Sequence, residues 1–325
     1  DGNHLVSNLS ELTPGQVARV IGARVLGFYD SPKIRERLEF LDAKEARLDR
    51  YPPPMVRTPY FCSGCPHNTS TRIPEGSIGH AGIGCHYMVR WMDRSTEFFT
   101  QMGGEGASWI GQAPFTDTPH TFQNIGDGTY FHSGILAIRA AVASGVNITF
   151  RILNNDAVAM TGGQAVDGSL TLDQIVAQVR AEGVERIAVV AENLDHAREQ
   201  LSAFSDITLH PKKDYDQLLE QIREVPGTSA IVFDQVCASE KRRRRKRGLM
   251  PHSDTRVFIN PEVCEGCGDC SAQSNCLSVI PKETELGLKR QIDQNACNMD
   301  FSCLNGFCPS FVTVTGATLK KPQVM

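Results

Sequence analysis

Apolar positions gather in short β-branched runs at Phe122–Ile125, Ile148–Leu153, Ile187–Val190 and Ala230–Phe233. Between them, near 132–144, 171–182, 195–204 and 214–224, apolar residues recur at helical spacing. Short apolar runs alternating with helices predict an α/β domain over 57–240 built on a parallel, doubly wound sheet. Ahead of it, Thr13-Pro14 caps a helix with apolar Val17, Val20, Ile21 and Val25-Leu26. A charged helical pattern runs from about Pro32 to Leu48, and Pro52-Pro53-Pro54 ends it. Residues 1–56 therefore read as a helical lead-in that packs or tethers and carries no chemistry.

Composition adds limits. The chain has 325 residues, 41% of them hydrophobic, enough for two domains with cores of their own. No apolar run reaches 18 residues and no secretory signal pattern is present, so a cytoplasmic protein that does not span a membrane is expected. The first residue is Asp1, not Met, which leads us to expect an internal segment of a longer chain. Net charge is −4, but KRRRRKR at 241–247 supplies seven positives; without them 26 Lys and Arg face 37 Asp and Glu, a net −11. A solvated linker over 241–255 accounts for this run first. Docking against an acidic surface comes second, and nucleic acid is not an expected partner.

The eleven cysteines fall in clusters, and an odd count so arranged argues for metal in a reducing compartment. Cys62-x2-Cys65 opens the α/β domain, Cys85 closes Gly82-Ile83-Gly84-Cys85, and Cys237 follows the last strand. Four thiolates suit zinc or an Fe–S cluster equally well, and buried free cysteines are the plain alternative. A second domain, 256–316, carries Cys264-x2-Cys267-x2-Cys270-x5-Cys276 and Cys297-x2-Asp300-x2-Cys303-x4-Cys308-Pro309. Residues 317–325 read as a tail.

A third pattern is Gly126-Asp127-Gly128 followed by Asn154-Asn155. These residues fall just past two predicted strands, where open parallel sheets bind ligands. A carboxylate and an amide oxygen there suit Mg²⁺. The helix predicted from about Phe131 would turn its N-terminus towards a diphosphate. An ordinary turn and an unrelated Asn pair is the alternative. Thr161-Gly162-Gly163-Gln164 could bring backbone close to such a ligand, and Gly103–Gly106 could do so less specifically. His67, His86 and His132 are pocket candidates, His132 foremost as a catalytic residue beside the diphosphate helix.

The GDG…NN pair resembles the thiamine diphosphate (TPP) signature. With the C-x2-C opening, the G-I-G-C turn and Cys237, residues 57–240 resemble the catalytic TPP subunit of 2-oxoacid:ferredoxin oxidoreductases. Cys-Pro-His at 65–67, Met102–Gly106 and Met160–Gln164 are most similar to the indolepyruvate branch of that family in its long fused single-chain form. The resemblance implies that Asp127, Asn155 and the carbonyl of Ala157 bind Mg²⁺. Gly126, Gly128, Thr161, Gly162, Gly163 and Gln164 would contact TPP. It implies that Cys62, Cys65, Cys85 and Cys237 hold a proximal [4Fe–4S] cluster.

Residues 256–316 resemble a small α+β ferredoxin-like domain with two clusters. By that resemblance Cys264, Cys267, Cys270 and Cys308 hold one [4Fe–4S] cluster, and Cys276, Cys297 and Cys303 remain for another. Asp300 stands where the middle cysteine of the second run would be. Two clusters are thus implied, and a third at the Asp300 site is left open between a carboxylate-ligated, a three-iron and a degenerate site. The resemblance implies oxidative decarboxylation of an aryl 2-oxoacid, indolepyruvate or phenylpyruvate, to its acyl-coenzyme A, with electrons passed to ferredoxin. Pyruvate or a branched-chain 2-oxoacid is the alternative substrate, and an electron-transfer module is the alternative class. The family's pyrimidine-binding domain has no place in these residues. Another chain, or the rest of a longer one, is expected to supply it, in a homodimer or larger assembly.

Overall fold

The computed structural model describes residue 6 and residues 12–50, 58–166 and 168–316. The triple proline at 52–54 and the tail at 317–325 lie outside the described residues. Compactness divides the chain after Thr58; everything from Pro59 onward clusters as one unit.

The first unit is two helices, α1 (Pro14–Leu26) and α2 (Pro32–Arg50). Thr13 Oγ1 accepts from the Gln16 N–H at 3.2 Å, and Gln16 Oε1 accepts from the Thr13 N–H at 2.8 Å. That capping box, with Pro14 at the first helical position, fixes where α1 begins. Gly22 is buried against Leu38, and Arg19 pairs with Asp42 at 2.6 Å.

The second unit opens with the one-turn helix α3 (His67–Ser70), β1 (Ile78–Ala81), β2 (Thr96–Phe99), α4 (Ala107–Gln112) and β3 (Thr121–Gly126). A single turn α5 (Asp127–Thr129), a π-helical stretch Tyr130–Gly134 and α6 (Ile135–Ser144) then form one continuous helix. β4 (Ile148–Asn154), α7 (Leu172–Ala181), β5 (Arg186–Ala191), α8 (Leu194–Gln200), β6 (Thr208–Pro211), α9 (Tyr215–Ile222) and β7 (Thr228–Asp234) follow. The strands pair in the order β2-β1-β3-β4-β7-β5-β6, every pair parallel. This is the doubly wound α/β architecture that the alternating pattern predicts.

The sheet is legible because its middle is buried on both faces, which makes parallel strands near-continuous apolar runs. Phe150, Ile152, Val189 and Val232 point into one layer with Trp109, Ile138 and Val176 of the helices above. Their neighbours Leu153, Val190 and Phe233 point into the other, against Tyr215, Leu218 and Ile222 of α9. The four predicted strands lie within β3, β4, β5 and β7. β1, β2 and β6 escape the pattern because each has four residues, with glycine, histidine, glutamate or proline among them.

Two expectations are corrected. The helix after the Gly-Asp-Gly turn starts at Asp127, not near Phe131, with Gly126 extended as its cap. It then widens into the π stretch, where Gly134 comes so close to β3 that a Cβ would stand 2.3 Å from Ile125 Cδ1. Most of the basic run is not a solvated linker. Lys241 to Lys246 lie in α10 (Ala238–Lys246), where Lys241 to Arg245 are half-buried and bonded to other parts of the chain, and only Lys246 and the cap Arg247 are exposed. Composition sees the charges of such a run and cannot see the carbonyl oxygens that receive them.

Beyond α10 come β8 (Arg256–Ile259), α11 (Asp269–Ser274), the hairpin β9 (Val279–Thr284) and β10 (Gly287–Ile292), and β11 (Phe311–Val314), which pairs antiparallel with β8. Ile259, Cys264 and Val279 centre a small core that also takes in Cys270, Cys276 and Cys303. This segment is bonded to the α/β body. Asn298 Nδ2 donates to the carbonyls of Ser63 (3.0 Å) and Ala238 (3.1 Å), and Arg72 donates to the Gln273 carbonyl at 2.8 Å. Among the described residues no helix is long and apolar enough to cross a membrane.

Candidate functional site

The carboxyl ends of β3, β4 and β7 stop level: Gly126 pairs with Leu153, and Asn154 with Asp234. Asp127, Asn155 and Cys237 are therefore delivered to one edge of the sheet. Asp127 is a partly buried carboxylate whose Oδ2 accepts from the N–H groups of Asn155 (3.0 Å) and Asp156 (3.1 Å), while Oδ1 accepts from Gly128 at 2.8 Å. Burial pushes its pKa up, against the pull of those N–H groups. A desolvated anion held only by amide hydrogens fits a divalent cation.

One cavity joins Asp127, Asn155 and Ala157, and its wall also includes Gly84, Gly126 and Met102. The residue set proposed for Mg²⁺ thus opens into a single space, with the start of the Asp127 helix beside it. Val158, Ala159 and Met160 line this cavity; Thr161, Gly162, Gly163 and Gln164 do not. Those four close a turn of their own, with Val158 N–H donating to the Gln164 carbonyl at 2.9 Å and Thr161 Oγ1 to Gln164 Oε1 at 2.8 Å.

The histidines sort unexpectedly. His132 lies on the π stretch, exposed, hydrogen-bonded to Ser133 Oγ at 2.6 Å and outside the cavity wall. His67 and His86 are buried, stand edge to face at 5.6 Å, and both line the cavity. Burial pulls the His67 pKa down to about 4 and His86 well below the usual value, so both are neutral. Glu105, inside the Met102–Gly106 stretch, is fully buried and accepts from the Gly103 N–H at 2.6 Å. A carboxylate inside a Gly-Gly-Glu-Gly stretch was the available signal.

Cys62, Cys65, Cys85 and Cys237 line a second cavity. A Cys65 N–H bond to the Cys62 carbonyl (3.1 Å) closes the C-x2-C turn. Cys85 follows the glycine turn after β1, and Cys237 caps α10. Burial, then the nearness of the other thiols, raises Cys65 steeply and Cys85 to about 11. Thiols held protonated, as Cys65 and Cys85 are, fit a cationic metal group, which reverses that balance. Among the described residues no three His, Cys, Asp or Glu side chains converge on a single-ion position. The two cavities share His67, Cys85, Asn155 and Ala159, and the Cys237 N–H donates to the Asn155 carbonyl at 2.9 Å.

Near the C-terminus, Cys264 stands beside Cys270. Cys276, Cys297, Asp300 and Cys303 form a separate group, in which burial and then Asp300 raise Cys303 to about 12. Asp300 accepts from Ser302 Oγ at 2.6 Å and faces Lys212 at 3.6 Å. Cys267 is exposed, and Cys308 Sγ lies 3.0 Å from Ser310 Oγ. Ser63, inside the C-x2-C turn, lies 3.3 Å from Cys276 Sγ.

Residues 82–233 match the family model "Thiamine pyrophosphate enzyme, C-terminal TPP binding domain". The indolepyruvate oxidoreductase subunit IorA of Thermococcus kodakarensis is 26% identical over 91% of this chain and 45% of its own length. The subunit of the same name from Methanothermobacter marburgensis is 27% identical over 66% of this chain and 38% of its own length. This chain thus spans less than half of each. Among solved structures, a 2-oxoglutarate:ferredoxin oxidoreductase from Magnetococcus marinus is similar over 56% of this chain and 65% of that one, with 19% identity and a TM-score of 0.42.

Proposed function

We infer that this chain, a relative of the IorA subunits of indolepyruvate oxidoreductases with a TPP-binding domain over residues 82–233, is the cofactor-binding and electron-relaying part of a 2-oxoacid:ferredoxin oxidoreductase. The observation that carries the reading is the shared wall. The Asp127 cavity and the four-cysteine cavity meet at His67, Cys85, Asn155 and Ala159. A decarboxylating centre that must also lose electrons needs that adjacency; a TPP enzyme without electron transfer does not.

TPP, when bound, supplies the electron sink that lets a 2-oxoacid lose CO2. Asp127, Asn155 Oδ1 and the Ala157 carbonyl would hold its Mg²⁺, and the N-terminus of the Asp127 helix would favour the diphosphate. Neutral His67 and His86 wall the space and keep added positive charge away from the cofactor. Cys62, Cys65, Cys85 and Cys237 would hold the proximal [4Fe–4S] cluster. Cys264, Cys267, Cys270 and Cys308, in a ferredoxin-like segment, would hold a second. Cys276, Cys297, Cys303 and Asp300 would form the site next to the proximal one, as the Ser63–Cys276 contact supports.

The substrate in this reading is an aryl 2-oxoacid, with coenzyme A taking the acyl group and ferredoxin the electrons. The pyrimidine-binding part of the active site comes from elsewhere in the assembly. The test is anaerobic and uses the full-length protein with TPP, Mg²⁺ and coenzyme A. Indolepyruvate or phenylpyruvate should bleach the visible Fe–S absorption. Bleaching by pyruvate instead moves the substrate class. Bleaching by dithionite but by no 2-oxoacid overturns the enzyme reading in favour of an electron-transfer module.

A further inference from the structure

We infer that the basic run at 241–247 is an internal clamp, in which Arg243 and Arg244 fix the 156–164 turn beside the cofactor cavity while Arg242 and Arg245 fix the C-terminal cysteine segment at Asn295–Asn298. The inference rests on the function proposed above for the sites it joins. The run has the composition of a polyanion-binding segment, but Lys241 to Arg245 are each already bonded within the chain.

α10 is anchored at its cap, where the Cys237 N–H reaches the Asn155 carbonyl. Arg242 and Arg245, three apart, share a face. Arg242 donates to the carbonyls of Asn295 (2.6 Å) and Ala296 (3.5 Å), and Arg245 to the carbonyl of Asn298 at 3.0 Å. Asn298 in turn holds the carbonyls of Ser63 and Ala238. These contacts seat Cys297 and its neighbours on the Cys62–Cys65 loop.

The next two arginines turn the other way. Arg243 donates to the carbonyls of Gly162 (2.8 Å) and Gly163 (3.1 Å). Arg244 pairs with Asp156, whose own N–H bonds Asp127, and with Glu240 at 3.0 Å. Asp156 sits in the left-handed region at φ +61°, which a fixed partner helps to hold. Gly163, at φ +80°, lies so flat under Arg243 that a Cβ would fall 1.7 Å from its Nη2. The glycine turn and the arginine depend on each other. Lys246 and Arg247 remain exposed and outside the clamp.

The experiment compares Arg243→Met, Gly163→Ala, Arg242→Met/Arg245→Met and the control Lys246→Met/Arg247→Met in the full-length protein. Amide hydrogen exchange is read first, because it does not depend on any cofactor. Arg243→Met and Gly163→Ala should each speed exchange over 156–164 only, and combining them should add nothing. The Arg242/Arg245 variant should speed exchange over 295–298 only, and the control should change neither. In Mg²⁺-dependent TPP titration, Arg243→Met should raise Kd about tenfold, as loss of outer support does at metal sites. The Arg242/Arg245 variant should leave Kd within twofold but alter the electron paramagnetic resonance signals of the reduced protein. Arginine variants that exchange like the control overturn the clamp. If the exchange pattern holds and the wild type binds neither TPP nor iron, the proposed function falls while the clamp stands. Should Arg242→Met/Arg245→Met fail to fold, Arg242→Lys and Arg245→Lys keep charge without the fork, and normal exchange at 295–298 in both overturns that half.

Discussion

At the scale of single residues, the buried groups divide into those that wait for a ligand and those that only cost stability. Asp127 is of the first kind. Asp127→Asn removes a partly buried anion but keeps an acceptor for the neighbouring N–H groups, so melting of the cofactor-free protein should shift by no more than a few degrees. If Asp127 holds Mg²⁺ as proposed, the stabilisation by added TPP and Mg²⁺ should disappear, as differential scanning calorimetry with and without cofactor can read. His80 and His120 are of the second kind. Burial lowers each to about 4, and neither ring nitrogen of His80 has a hydrogen-bond partner among the described residues. Each stays neutral when folded and takes a proton near pH 6.5 when unfolded. Their effect on stability is therefore absent at neutral pH and destabilising as pH falls from about 6.5 towards 4. Each should add a slope of up to about 1.4 kcal/mol per pH unit in that window. Urea unfolding of His120→Gln against the parent between pH 7 and 4.5 checks the sign: the variant should lose less.

Among elements, the helix after Asp127 differs most from a standard one. Replacing a helical glycine with alanine ordinarily stabilises by about 0.5–1 kcal/mol. At Gly134 the sign should reverse, because the added methyl meets Ile125 in β3. Overpacking of this kind costs about 1–3 kcal/mol. Gly134→Ala should lower the denaturation midpoint and weaken TPP binding together, since β3 and Asp127 move as one piece; a stabilised variant would refute the close approach. The same scale shows what the sequence could and could not say. Phe122–Ile125, Ile148–Leu153, Ile187–Val190 and Ala230–Phe233 were legible because full burial demands apolar residues. Gly79 and His80 in β1 were not, because a short strand next to the edge can be built from almost anything. The cavity residues were legible where chemistry needs a residue type, as at Asp127, Asn155 and Cys85. They were hidden where packing alone brings them in, as at Met88 and Ser239. The arginine run was misread for a related reason: its acceptors are main-chain oxygens, which every residue has.

For the molecule as a whole, the C-terminal cysteine segment belongs to the same compact unit as the sheet. Asn298, Arg72 and α10 bind the two together. Calorimetry on a chain that ends at Thr255 should show a melting temperature lowered by several degrees, because Arg242, Arg245 and the Ser63 carbonyl lose their partners. A chain that begins at Pro59 should keep the melting temperature and iron content of the parent's second unit.

The hydrogen bond from Cys237 to Asn155 would tie together the fates of the two groups proposed for this site. Air attacks iron–sulfur groups first. If the four cysteines hold the proposed cluster, its loss should loosen the loop that Cys237 anchors, and Asn155 with it. A chain damaged in this way should let go of the vitamin-derived cofactor proposed beside it. Under that reading it would fall silent instead of decarboxylating substrate with no outlet for the electrons. Measuring TPP retention during controlled aeration would show this interlock as loss of cofactor in step with loss of iron.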